Sequence, residues 1–370
     1  MAKIAFNGRP FCDAGLRGLG RHTVELMREL RRQRPDWEFH VYSHVPVAPV
    51  WREALPWVVF HDRPRGPKLL WDYVLLGREL RRDGIDLYHS TVNQGVPVFL
   101  GARIPCAVTI HDTFTHEALT APGVGLRGAW ARWRYRGEWR RLREQAAVLF
   151  TVSRTARDEI VERMGITAER LTVCFNGAPT PSVPVSAPSP AQPPYYLHVG
   201  GLEGRKNAEV MLGGFLLGRR SGARLKLVGG RVSAPPHLQE LIDAHPEAFD
   251  SLGHIDDIAL ARLYGGAHAL LFPSLREGFG LPLVEAMAHG CPVVAADIPV
   301  FREIADGAAL FFDPRDPRAL DAAIACLEAT DSTEREAIVE RGRRRAAEFT
   351  WARVADIVLK RYLEVLAWKS

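Results

Sequence analysis

The chain has 370 residues, of which 47% are apolar, 25% charged and 9% aromatic, a composition that excludes disorder, collagen-like repeats and disulfide-stapled miniproteins. The formal charge of +5 is unevenly spread: residues 1–177 carry 27 Lys and Arg against 19 Asp and Glu, and the remaining residues 21 against 24. A basic first half suits nucleic acid, anionic lipid headgroups or phosphorylated substrates without choosing among them.

The length predicts two domains, each able to bury its own core, with a site between them as the default. Five scattered cysteines without a C-x-x-C predict a reducing compartment and no structural zinc. The opening MAKIAFNG turns polar too early for a signal peptide, and no apolar run reaches about 18 residues, so a cytoplasmic protein without a membrane span is expected.

In chain order, KIAFN reads as a buried strand leading into a turn with Gly15, Gly18 and Gly20. An amphipathic helix follows, patterned by Leu19, Thr23, Leu26, Met27 and Leu30. The order G-x-x-G-x-G differs from the dinucleotide fingerprint G-x-G-x-x-G, which disfavours NAD. WEFHVYS, DLYHS, PCAVTIHD, AAVLFTVS and LTVCFNG bring the first half to six strands. His111 and Asp112 stand at a strand's carboxyl end, where open α/β sheets bind ligands; His89 and Ser90 stand similarly.

Residues 125–144 gather seven arginines with Trp130, Trp133 and Trp139. Arginines on one side and tryptophans on the other suit a helix lying on an anionic membrane, and aromatic residues among basic ones suit nucleic acid. A third reading packs Leu126, Trp130 and Trp133 into the core below a solvated arginine face.

Ala178–Pro194 holds seven prolines and no charge, and reads as an interdomain linker. Six more strands follow: YYLHVG, ARLKLVG, SLGHI, ALLFPS, PVVAAD and ALFFD. Two successive βαβ series imply two doubly wound parallel sheets facing across a cleft. VGGLEGRKN places Arg205 and Lys206 near a strand's carboxyl end. After LLFPS, a strand runs into Arg276-Glu277-Gly278-Phe279-Gly280, and a helix begins near Leu281 or Pro282, making an anion site from backbone and helix dipole. Glu277 and Glu285 are carboxylates suited to sugar hydroxyls. Two helices close the chain, Ser332–Glu348 and Trp351–Trp368, the last with a stripe of Val354, Ile357, Val358, Tyr362 and Leu366 that could pack back across the domain junction.

The string E-G-F-G-L-P-L-V-E at Glu277–Glu285 resembles the E-x7-E signature of retaining glycosyltransferases with the GT-B fold, specifically glycosyltransferase family 4. Family-like strings also occur at Gly15–Thr23, Thr109–Thr113 and Val199–Asn207, and in PVVAADIPVFREI from Pro292, so the resemblance covers almost the whole chain. It implies that Glu277 and His111 contact the transferred sugar as catalytic residues and that Glu285 binds the nucleotide ribose. It implies further donor contacts from Gly278, Phe279, Gly280 and Leu281, from Gly18 and Gly20, and from Arg205 and Lys206 on the diphosphate. Many relatives carry a basic residue where this chain has Gly201, which shifts weight onto Arg205.

The domains so implied are 1–177 on the acceptor side, the linker 178–194, a nucleotide-sugar domain 195–348 and a crossover helix 349–370. The implied reaction moves a hexosyl group, with mannose from GDP-mannose favoured, to a glycan or lipid-linked hydroxyl with retained configuration. The chain has no D-x-D, so two cations and a helix terminus stand in for a metal. Peripheral contact of 125–144 with the inner face of an anionic membrane is expected, and nucleic acid is not. The alternatives are a GT-B nucleotide-sugar epimerase and a non-catalytic nucleotide-sugar or nucleic-acid-binding module.

Overall fold

The computed structural model describes all residues except 14, 16–17, 63–67, 98–103, 117–125, 180–193, 203, 219–221, 230–233 and 368–370, and gives only the backbone at 69, 73, 126–130 and 134. Most of the proline-rich stretch therefore lies outside the described residues. Two units divide the chain: Met1–Gly177 with Trp351–Ser370, and Ala178–Thr350.

In the first unit, β1 (Lys3–Asn7), β2 (Glu38–Tyr42), β3 (Val58–His61), β4 (Leu87–Ser90), β5 (Cys106–Ile110), β6 (Ala146–Thr151) and β7 (Leu171–Val173) form a parallel sheet in the order β3-β2-β1-β4-β5-β6-β7. Ile4 and Phe6 face one apolar layer with Phe39 and Val41, whereas Ala5 faces the other with Tyr88 and Val108. Burial on both faces is why these strands read as nearly continuous apolar runs. The sheet has seven strands rather than the expected six. The extra one, β3, is a four-residue edge strand whose Val59 is 48% exposed, too short and too wet on one side to stand out.

The helix after β1 spans Gly18–Gln33, so Gly18 and Gly20 belong to its first turn and not to a turn before it. Glycine costs little there because the first amides of a helix lack intrahelical partners. Leu19 is 38% exposed, and the buried stripe is His22, Thr23, Leu26, Met27 and Leu30.

The arginine-rich segment is a helix, Leu126–Gln145; the expected packing of Leu126 and Trp130 lies outside the described side chains, and among the described ones Trp133 is exposed on the arginine side while Trp139 is half-buried. Tyr135 and Leu142 turn inward, and Trp139 stacks on Tyr135 at 6.0 Å between centroids. Trp133 is 70% exposed beside Arg136, Arg140 and Arg143, which rules out its place in a core stripe.

The last helix, Trp351–Ala367, belongs to the first unit. It buries Val354, Ala355, Val358, Tyr362 and Val365 against Val24, Met27 and Leu30. Gly177 lies where a Cβ would come within 2.5 Å of Trp351 Cγ, so the chain's exit and return pack backbone against ring.

The second unit repeats the winding with β8 (Tyr195–Val199), β9 (Arg224–Val228), β10 (Phe249–Gly253), β11 (Ala269–Phe272), β12 (Val293–Ala296) and β13 (Leu310–Phe312), ordered β10-β9-β8-β11-β12-β13. Among the described residues no helix is long and apolar enough to cross a membrane, and all five cysteines are free.

Candidate active site

Strand order reverses between β8 and β11, which places the loops following those two strands at the crevice where open α/β sheets hold ligands. Gly200, just after β8, has φ +145°, and its amide donates to Val228 O at 2.8 Å. A short turn at Gly204–Lys206 then brings two cations back toward the loop after β11. Lys206 Nζ donates to Glu277 Oε1 at 2.6 Å, and Arg205 Nη1 donates to the same oxygen at 3.1 Å. Both cations thus use one carboxylate oxygen, which leaves Oε2 for a further donor.

The sequence favoured Arg205 as the main cation. In the structure Lys206 is the deeper one, with a side chain 10% exposed against 39% for Arg205 and its ammonium 5.4 Å from the Phe272 ring centroid. Two straps fix the pair of loops. Leu275 N donates to Arg205 O at 2.9 Å, and the Asn207 side chain donates to the carbonyls of Pro273 and Pro314.

Gly280 precedes helix Leu281–Ala288 with φ +94°, and a Cβ there would lie 2.8 Å from Phe301 Cε1. Only glycine fits both demands. Beneath the loop Phe272 and Phe301 stack at 4.8 Å, and Phe279 packs edge-on against Phe349. The helix start adds its dipole to the two cations, a combination that favours an anion. Glu285, one turn in, is buried and accepts a hydrogen bond from Tyr264 OH at 3.0 Å.

In the first unit His111 follows β5 and is buried. Its Nε2 meets Thr91 O at 2.9 Å; a carbonyl can only accept, so Nε2 carries the proton and Nδ1 is an acceptor. The backbone amide of His111 donates to Asn93 Oδ1 at 2.7 Å, which fixes the ring's mounting. His22, on the helix after the glycine turn, stands edge-on to His111 at 4.7 Å and pairs Nδ1 with Asn176 Oδ1 at 2.7 Å. Burial drives both down, His22 to about 3 and His111 to about 4, so both rings are neutral near pH 7. His89 is a core residue, with Nδ1 on Tyr362 OH and Nε2 on Thr109 Oγ1. Gly15 is exposed in a bend ahead of the helix, where a Cβ would meet nothing within 4 Å, so no close approach requires glycine there.

Residues 16–180 match the family described as Glycosyltransferase Family 4, and residues 193–329 match Glycosyl transferases group 1. The chain belongs to glycosyltransferase family 4. It is 28% identical to the O-antigen chain mannosyltransferase B of Escherichia coli, with 97% of this chain and 99% of that protein covered. Among solved structures it resembles sucrose-phosphate synthase from Thermosynechococcus elongatus, with TM-score 0.78, 20% identity and 100% of each chain covered. Anabaena HepE in complex with UDP-glucose matches with TM-score 0.75 and 18% identity, again over 100% of each chain. These structural likenesses place the glycosyltransferase in the GT-B fold.

Sequence reasoning assigned no role to three supporting residues of this glycosyltransferase. Asn207 had one available signal, its place at the end of a glycine-rich turn, where Asn tolerates its observed φ of +55°. His198, fully buried in β8, has Leu271 O 3.1 Å from Nδ1 and Gly201 O 3.3 Å from Nε2; carbonyls only accept, so a neutral ring donates to one of the two, and its position between them sets it between the Gly200 turn and β11. Tyr264 reaches Glu285 from a helix 21 positions upstream, with no local signal at all.

Proposed function

We propose that the chain transfers a mannosyl group from GDP-mannose to a hydroxyl of a glycan or lipid-linked acceptor, with retained anomeric configuration and without a metal ion. The observation that carries this reading is the convergence of Lys206, Arg205 and Glu277 beside a helix N-terminus at the sheet's reversal point. Similarity to the Escherichia coli O-antigen chain mannosyltransferase B favours mannose and a glycan acceptor. HepE, seen with UDP-glucose, is the specific ground for a second reading with a uridine donor.

In this reading Lys206 and Arg205 turn from Glu277 to the donor diphosphate and neutralise the charge that grows as it leaves, work a divalent cation does elsewhere. Glu277 accepts from a hydroxyl of the transferred sugar, Glu285 from the ribose, and His111 Nδ1 accepts from a sugar hydroxyl. Gly278, Phe279, Gly280 and Leu281 line the donor loop. The acceptor hydroxyl bonds to the anomeric carbon on the face from which the diphosphate departs. As the bond from that carbon to the phosphate oxygen breaks, the hydroxyl proton passes to a phosphate oxygen, and GDP leaves. Gly18, exposed in a helix's first turn, would offer its backbone to phosphate, whereas Gly20 is buried and serves the packing of that turn.

The acceptor would approach the first unit at its own reversal point, between β1 and β4, where Asn7, Ser43, Lys68, Gln94, Glu138 and Arg141 surround a shallow depression of about 50 Å³ that offers polar edges and does not enclose a sugar. Gly95 belongs to its wall at φ +106°, with room for no Cβ between Asn7 and Ser90. The exposed stripe Trp133, Arg136, Arg140 and Arg143 would meet anionic headgroups at the membrane's inner face, placing that depression near a lipid-linked acceptor.

The test is GDP release from GDP-mannose with a mannoside acceptor. Glu277→Gln and Lys206→Ala should each lower turnover about 10²–10³-fold, the scale for removing one group that stabilises transition-state charge. Full activity in both variants would contradict the site.

A further inference from the structure

In the second unit the helix Asp257–Gly266 ends just before the amino end of β11, and the helix Leu281–Ala288 begins after its carboxyl end. The later helix therefore starts at the crevice, and the earlier one finishes at the opposite end of the strands. Tyr195, the first residue of β8, fixes that finish. Its OH donates to Leu263 O at 2.8 Å, its carbonyl accepts from His268 N at 2.7 Å, and a Cβ on Gly266 would lie 2.7 Å from its hydroxyl oxygen. Tyr264 stands among these anchors and is 1% exposed.

From there the phenol runs along the helix that carries Glu285. Glu285 and His289 are one turn apart on the same face. His289 Nδ1 donates to Glu285 O at 2.8 Å, which holds the imidazole against its own helix. The Tyr264 ring stacks on that imidazole at 5.6 Å between centroids, and its hydroxyl donates onward to Glu285 Oε2 at 3.0 Å. The phenol thus reaches the carboxylate from the helix's carboxyl-terminal side, away from the crevice. Glu285 is 6% exposed, and a carboxylate so buried depends on its hydrogen bonds. It has about four lone-pair sites, and the phenol engages one of them from behind.

We propose that Tyr264 is a positioning residue for nucleotide selection: by donating to Oε2 it aims Glu285 at the ribose hydroxyls, so that the site prefers ribonucleoside diphosphates to those without 2′- and 3′-hydroxyls. The inference rests on the reading of Glu285 as the ribose contact. A phenol suits the task because its donor sits at the end of a rigid ring held by stacking, and it directs the carboxylate without bringing a charge of its own.

The experiment is a calorimetric titration of the full chain with GDP and with 2′,3′-dideoxy-GDP, in the parent, Tyr264→Phe and Glu285→Gln. The parent should bind GDP about tenfold or more tightly than the dideoxy nucleotide, the scale of a hydrogen bond to a charged acceptor. Phenylalanine keeps the stack on His289 and loses only the donor, so Tyr264→Phe should reduce that preference by about fivefold or more, with a melting temperature close to the parent's. Glu285→Gln should show little preference between the two nucleotides. Equal losses for both nucleotides in Tyr264→Phe would mean a structural role alone, and an undiminished preference would mean no role; either overturns the inference. A preference lost in Glu285→Gln but kept in Tyr264→Phe overturns the positioning and leaves the ribose contact standing. A parent-like preference in Glu285→Gln overturns the ribose contact and the inference with it, while cleavage of GDP-mannose can still stand. No binding of GDP by the parent would overturn the donor reading and this inference together.

Discussion

Glu277 receives two cations on one oxygen, and this explains how a side chain only 13% exposed holds its position before a donor arrives. The pairing also stores Lys206 in a direction from which it can swing to a phosphate. The backbone beneath is equally constrained. Gly280→Ala combines a left-handed φ with a Cβ 2.8 Å from Phe301, and should destabilise the second unit by about 1–3 kcal/mol and weaken GDP binding at least tenfold. Thermal melts with and without GDP measure both. A variant that melts and binds like the parent would show that the loop relaxes freely.

At the scale of elements, the helix Leu126–Gln145 divides its faces by burial and not by residue type. Tyr135 and Leu142 hold it to the first unit, and Trp133, Arg136, Arg140 and Arg143 follow one outward stripe at helical spacing. Trp133→Ala with Arg140→Glu should reduce sedimentation with vesicles rich in phosphatidylglycerol several-fold and leave the melting temperature within a degree or two. Undiminished sedimentation would remove the stripe as the membrane contact. The sequence showed this helix's existence clearly but not its orientation, because its charges and aromatic residues alternate too closely to mark a face. Five of the six strands of the second unit stood out as apolar runs, and so did E-x7-E, a feature of adjacent residues; the sixth, read as SLGHI, lies two residues late on β10, Phe249–Gly253, where only Phe249 is buried. Edge strand β3 did not, being four residues long and half wet. Asn207, His198 and Tyr264 went unassigned because each acts through partners brought close only by folding.

For the whole molecule, the first unit keeps His22, His89 and His111 buried and neutral, each pushed down chiefly by burial. A histidine whose folded value lies below its unfolded value near 6.5 costs nothing above that pH. The unfolded chain takes up the proton first, so stability is lost as the pH falls below about 6.5 toward the folded values. Each group contributes about 1.4 kcal/mol per pH unit, and the three together about 4 kcal/mol as an upper bound at pH 5.5. Urea unfolding of the first unit at pH 7.5 and 5.5 should show a clear drop in midpoint. Equal midpoints would mean that none of the three rings is held neutral in the folded protein. The last helix shares this dependence, because Tyr362 closes on His89.

Donor chemistry depends on the Lys206–Glu277 loop holding a nucleoside diphosphate. Thermal stabilisation by GDP, UDP, ADP, CMP and NAD, and by the corresponding sugar conjugates, tests this in the parent protein and in Lys206→Ala. GDP and GDP-mannose at about 100 times their dissociation constants should add about 2.7 kcal/mol to the parent, and much less to the variant at the same concentrations. Stabilisation by none of the diphosphates, or stabilisation that Lys206→Ala leaves intact, would contradict the donor site.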